Sequence, residues 1–204
     1  MNRSSVPRFY LYALLGAVCL LFQAGCSGNN STTSAQFTAS ATAPAPGLVK
    51  LVEKSRSGAR VVIDVVLFGP EPTLDLDGFQ FGIKIGDSSL VRLAAQMTYP
   101  QTALVAGDGQ TIFIDVDGMS DPSLIRVVTA KQGGGAGNGF ATASTVVIEL
   151  PFDVQAAGAT SMALVGVGNT PPEAIDSTRV PIGDVRFDAA NATVTGVTTG
   201  GGGY

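Results

Sequence analysis

The chain has 204 residues, with 12 basic and 16 acidic side chains, a net charge of −4, and no histidine or tryptophan. An acidic balance offers no basic face to a phosphate backbone, which argues against nucleic-acid binding. Without histidine there is no Ser-His-Asp or Cys-His nucleophile, no common zinc site and no imidazole base near neutral pH.

At the N-terminus, Arg3 and Arg8 precede an apolar run over residues 10–22, which leads into Ala24-Gly25-Cys26. A basic start, an apolar middle and small residues at the boundary describe a secretory signal. Ala24-Gly25-Cys26 resembles the lipobox of bacterial lipoproteins, where the thiol is acylated and the cysteine becomes the new N-terminus. Gln23 stands where that pattern has Leu or another aliphatic residue. Ordinary secretion with an incidental Cys26 is one alternative. An uncleaved anchor is another, although the run is shorter than the roughly 20 residues that span a bilayer.

The resemblance implies that residues 1–25 are removed and that Cys26 carries lipid, a membrane anchor that needs no protein contact with the bilayer. Cys19 would leave with the signal, so no disulfide or thiol site would remain. Loss of Arg3 and Arg8 leaves 10 basic against 16 acidic residues, a net charge of about −6. Ser27 follows the cysteine, with no inner-membrane retention Asp, so the expected place is the outer membrane of a bacterial cell envelope. Residues 26–47, rich in Ser, Thr, Asn, Ala and Pro, read as a flexible tether. Residues 48–197 are the right size for one domain with one core, and residues 198–204 read as a disordered Gly-rich tail.

Period two dominates the domain. Phe79, Phe81, Ile83 and Ile85 alternate with Gln80, Gly82, Lys84 and Gly86, giving one apolar face and one polar or bare face. Val146, Ile148, Leu150, Phe152 and Val154 form a longer series. Pro151 within it lacks an N–H, which predicts an edge position or a bulge there. Further strands are expected over residues 48–52, 61–68, 90–93, 111–116, 124–129, 161–167, 184–187 and 192–197. The 61–68 segment is apolar on both sides except for Asp64, which suits a central strand. Only residues 96–105 leave room for a short helix. Eight to ten short strands separated by turn formers predict an all-β sandwich.

Several segments, in order, resemble the cohesin family. They are Asp77-Gly78-Phe79-Gln80-Phe81-Gly82-Ile83-Lys84-Ile85 with Leu90-Val91-Arg92-Leu93, then Gly137-Asn138-Gly139-Phe140-Ala141 leading into 146–154. The ending, Ile182-Gly183-Asp184-Val185 and Asn191-Ala192-Thr193-Val194, completes the likeness. The resemblance implies a jelly roll of about nine strands over residues 48–197. It also implies a non-catalytic module that binds protein, as cohesins bind dockerins through one sheet face. Carbohydrate binding on the same fold is the alternative, and a structural envelope component is a second.

Other residue patterns carry candidate chemistry. The pairs Asp75/Asp77 and Asp115/Asp117 are spaced to share a strand face, as paired carboxylates in glycoside hydrolysis would, but at strand ends they read as turn caps. Asp115, Asp117 and Asp121 offer oxygen ligands for calcium. They lack the third acidic position and the bidentate Glu of an EF-hand, so a solvated turn is the plainer reading. The glycine-rich 133–139 stretch lacks the Gly-Lys-Ser/Thr of a phosphate loop and leads into a strand, which predicts a mobile loop. No cofactor is implied. For stacking on sugars, tryptophan is absent; Phe68, Phe79, Phe81, Phe113, Phe152 and Phe187 mostly fall in strands, those in clear alternation at core phase. Tyr99, Phe140 and Asn138, in or near loops, are the candidate ligand contacts.

Overall fold

A computed structural model describes residues 32–199 apart from 70, 97, 134–137 and 141–143. The predicted alternation is what the structure buries. Phe79, Phe81, Ile83 and Ile85 are withdrawn from solvent while Lys84 between them is exposed. Each such side chain contributes about 1.5–3 kcal/mol when buried.

In chain order the strands are β1 (Thr32–Thr38), β2 (Leu48–Ser57), β3 (Arg60–Leu67), β4 (Glu71–Ile85), β5 (Val91–Leu93), β6 (Thr111–Asp117) and β7 (Leu124–Gln132). They continue with β8 (Asn138–Phe140), β9 (Thr145–Val154), β10 (Gly158–Val165), β11 (Glu173–Asp176), β12 (Arg186–Phe187) and β13 (Ala192–Thr199). One sheet has the order β1-β13-β10-β4-β7-β6, with β11 and β8 also paired to β4; the other has the order β12-β2-β3-β9-β5. Their apolar faces meet, with Ile63, Val65 and Leu67 of β3 and Ile148, Leu150 and Phe152 of β9 among the residues opposing β4 and β7 in one core cluster. Phe81 and Phe187 bridge the two sheets with ring centroids 5.7 Å apart, a contact of about 0.5–1.5 kcal/mol beyond burial. The description is all-β, and β3 takes the central place expected of the 61–68 segment.

Four expectations change. The tether reading of 26–47 fails from Thr32 onward, because Thr32–Thr38 pairs along its whole length with β13, from Thr32↔Thr199 to Thr38↔Thr193. An edge strand needs only one apolar face, and Ala35, buried, and Phe37, packed on the core, supply it. The following segment is fixed by a polar knot. Asp188 accepts hydrogen bonds from the Ser40 hydroxyl and, at 2.8 Å, from the Thr42 hydroxyl, while buried Lys50 donates to the Ser40 and Thr42 carbonyls. At the other end β13 runs to Thr199, past the boundary expected at 197.

The structure has thirteen strands among the described residues rather than about nine. The strands not foreseen are β1, β8 and β11. No helix forms over the described part of 96–105, and the backbone there runs along β9 instead. Ala94 N–H reaches the Pro151 carbonyl at 2.9 Å, and Glu149 N–H reaches the Pro100 carbonyl at 2.8 Å. Pro151 therefore sits just past the end of the three-residue β5, on the side where no ladder donor is required. The bulge in β9 lies elsewhere: the register shifts at Val65/Val66, leaving Val147 as the extra, buried residue. The signal segment, Cys26, the 200–204 tail and most of the glycine-rich loop lie outside the described residues.

Candidate interaction face

The outward positions of β10, β4, β7 and β6 form rows across the larger sheet. Phe113 pairs with Ala130, which pairs with Gly78; Asp115 pairs with Val128, which pairs with Gln80. Asp117, Arg126, Gly82 and Val165 make the next row, and Leu124, Lys84 and Ala163 the one beyond. Ladder pairs stand within side-chain contact, so these residues share one surface.

Two glycines flatten it. A Cβ at Gly82 would lie 2.8 Å from Leu124 Cδ1 and 3.2 Å from Val165 Cγ2, so these two apolar side chains close over the bare backbone. At Gly78 a Cβ would meet the Thr129 carbonyl at 2.7 Å, and Ala130 Cβ lies at 3.3 Å. Phe113, 41% exposed, stands at the margin on β6. Arg126 and Asp117, 3.9 Å apart, and Lys84 supply charge around an apolar centre. A flat apolar centre with an exposed aromatic and a charged surround suits docking against another protein.

Of these residues the sequence singled out only Asp115 and Asp117, as paired carboxylates and calcium candidates rather than as part of an interaction face. The usable signal was the outward phase of β4, where Gln80, Gly82 and Lys84 carry no bulky apolar group. Phe113 belongs to a strand, as expected, but in the exposed phase, because Ile112, Ile114 and Val116 take the inner one.

The candidates from sequence are scattered. Asp117 accepts the Ser120 and Met119 N–H groups, each at 3.1 Å, and Asp121 accepts the Ser123 hydroxyl at 2.7 Å and its N–H at 2.9 Å. Hydrogen bonds from Ser120 hold Asp117 below the usual carboxylate range, and those from Ser123 do the same for Asp121. These two carboxylates act as turn caps, and Asp115 points outward on β6. Among the described residues no three acidic, cysteine or histidine side chains gather as a metal site. Asp75 accepts from Ser177, and buried Asp77 pairs with Arg179 Nη1 at 2.8 Å. Both carboxylates brace the turn after β11, where Arg179 adopts a left-handed φ of 68°. Tyr99 lines a cleft between the β5 and β6 edges, away from the sheet face, and burial raises its hydroxyl pKa. Asn138 and Phe140 fall in β8, paired to the early part of β4, and their side chains lie outside the described residues.

No protein-family model matches the sequence, and no curated protein does either. Solved structures do match in shape. The type II cohesin dyad from the adaptor ScaA scaffoldin of Acetivibrio cellulolyticus aligns with a TM-score of 0.51 at 12% identity, over 72% of this chain and 48% of that one. The chain thus spans about half the length of the dyad. A type II cohesin domain from the cellulosome of the same organism aligns with a TM-score of 0.48 at 12% identity, over 78% of this chain and 95% of that one. A type I cohesin–dockerin complex from Clostridium thermocellum gives 0.44 at 14% identity, over 78% and 96%. With two sheets packed around one core and this likeness in shape, the chain is a cohesin-like β-sandwich of jelly-roll type.

Proposed function

We propose that this chain is a non-catalytic protein-binding module of the bacterial cell envelope, held by lipid on Cys26, and that it engages its partner through the outer face of β10, β4, β7 and β6. The flat apolar centre over Gly82, closed by Leu124 and Val165, carries the reading, because a solvated sheet face has no need of it. A dockerin-type partner is the first to test, since cohesin structures of this shape include a complex with a dockerin. The anchor rests on the Ala24-Gly25-Cys26 pattern. Five residues separate Cys26 from the start of β1 at Thr32.

Surface plasmon resonance of the full chain against recombinant dockerin modules, with glycan arrays in parallel, tests the binding half. Binding that Phe113→Asp and Gly82→Val each weaken about tenfold or more supports the face. Retention on a glycan with no dockerin binding points to the carbohydrate alternative. For the anchor, a clickable fatty-acid probe should label the wild type and not Cys26→Ser; equal labelling of both refutes acylation at that residue.

A further inference from the structure

The N-terminal strand and its polar knot form a unit that the rest of the sandwich holds at separate points. Every residue of β1 from Thr32 to Thr38 pairs with β13. On its other side, Ala35 N–H reaches the Gly58 carbonyl, between β2 and β3, at 2.7 Å. Past the strand, Ser40 and Thr42 dock on Asp188 and Lys50. All of these partners lie after Gly47 in the chain, so the body of the sandwich carries an acceptor groove for residues 32–42.

Little joins the unit to that body. Ala43 and Pro44 are exposed and make no hydrogen bond among the described residues. Ala43 and Ala45 each precede a proline, which biases both toward extended backbone. The chain is fixed again at the turn from Ala45 to Leu48, where Leu48 N–H meets the Ala45 carbonyl at 3.0 Å and Gly47 supplies a φ of 76°. A hinge over residues 43–45 therefore straightens without breaking either the knot or the turn.

Apolar bulk does not hold β1 down. Ala35 and Phe37 alone in the strand pack on the core, and Phe37 is only half-buried. A segment with so little buried carbon opens ahead of the whole fold. Opening bares the β13 edge, and neither β1 nor β13 has a charged residue to guard it. The same opening leaves Asp188 and Lys50 without the hydroxyls and carbonyls that satisfy them. The segment that fits ladder and knot together is 32–42 itself, and a second copy supplies it with every contact unchanged.

We propose that residues 32–42 exchange between copies of this chain, each copy seating its β1 on the β13 edge of the other. The inference goes beyond the sheet-face reading and stands without it.

The test uses the full chain with Cys19→Ser and Cys26→Ser as background. Gln36 and Thr195 are ladder partners, and ladder partners stand within the reach of a disulfide. One chain carries Gln36→Cys and a second Thr195→Cys, and the two are mixed at high concentration under mild oxidation. The mixed disulfide dimer should form in about tenfold or higher yield than with a control pairing of Gln36→Cys and Thr111→Cys, whose thiols no ladder brings together. With Gln36→Cys and Thr195→Cys in one chain, the disulfide should close within the chain. This locked form should stay monomeric in light scattering, while its reduced form dimerises as concentration rises. A mixed dimer no more abundant than the control overturns the proposal, as does a locked form that associates as readily as the reduced one. Association that Phe113→Asp abolishes also overturns it, by placing the contact on the sheet face.

Discussion

On the five-stranded sheet, outward positions of β2, β3 and β9 carry Lys54 with Glu149, Arg60 with Asp153, and Asp64, which stands between the half-buried Val62 and Val66. On the eight-stranded sheet, outward positions of β10, β4 and β7 carry Ala163, Val165, Gly82, Val128 and Ala130 with Arg126 and Lys84 among them, and Phe113 stands at the margin on β6. Both faces lie over the same core and follow the same period of two. The first is finished for water: Arg60 holds Asp153 through two bonds of 2.7 and 3.0 Å, and such exposed pairs add solubility more than stability. The second carries half-buried apolar side chains, with Phe113 41% exposed at its margin. The difference teaches that folding asks little of an outer face, so an apolar one marks a use beyond folding.

The largest expected effect separates inner from outer aromatics. Phe81→Ala removes a fully buried ring and its contact with Phe187, and should cost about 3–5 kcal/mol in urea unfolding. Phe113→Ala on the outer face should change stability by no more than about 0.5 kcal/mol. Comparable losses for the two variants would mean that Phe113 serves the fold and would remove the aromatic from the proposed face.

Next comes the knot that docks the N-terminal strand. Asp188→Ala strands the Ser40 and Thr42 hydroxyls and leaves buried Lys50 without a counter-charge, at a cost of about 1–3 kcal/mol. Burial alone would raise the Asp188 pKa, yet the bonds from Ser40, Thr42 and the Ala190 N–H, with the Lys50 charge, hold it below the ordinary value. A lowered folded pKa means that the stabilisation is complete above the unfolded value and is lost as pH falls through the folded one. Acid unfolding of the wild type should therefore steepen below about pH 4, and Asp188→Ala should lack that component.

A smaller effect tests the flat face directly. Gly82→Ala pushes a methyl group against Leu124 and Val165, whose side-chain ends can yield. Thermal melts should show a loss of about 1 kcal/mol, while partner binding should fall further than the fold does. Binding that tracks stability alone would show that the surface shape over Gly82 is not read by a partner.

How much of this was legible follows from where the physical signal lies. The core phase of β4 and β9 could be read directly, because burial on one side imposes alternation on the sequence itself. β1 could not, since Thr-Thr-Ser-Ala-Gln-Phe-Thr has only Ala35 and Phe37 facing inward and owes its pairing to the distant β13. The same polar composition serves a tether and an edge strand, and only the partner distinguishes them. Asp117 and Asp121 could be read as turn residues because a carboxylate two or three positions before an N–H caps locally, whereas Asp77 and Asp115, read with them as strand-end caps, stand inside β4 and β6. The outer face was visible only as missing bulk at Gly78 and Gly82. Its meaning depends on which strands lie beside β4, a long-range fact that local pattern does not carry.

The smallest effect concerns the charged face. Asp64 lies opposite Glu149 and near Lys54, with Oδ1 buried and unpaired. Burial pushes its pKa above the ordinary value; Lys54 pulls it back, and the Glu149 charge adds to the rise. The sign is opposite to that of Asp188. On raising the pH from acid, the unfolded chain loses this proton first, so the folded state loses stability across the interval between the unfolded and folded values, and the penalty is constant above it. Asp64→Asn removes the titration and keeps the shape. Urea unfolding from pH 3 to pH 7 should show a steeper gain in stability with pH for the variant, which ends more stable than the wild type at pH 7 by up to about 0.5 kcal/mol. A profile identical to that of the wild type would show that Lys54 cancels the burial at Asp64, leaving the charged face electrostatically neutral toward folding.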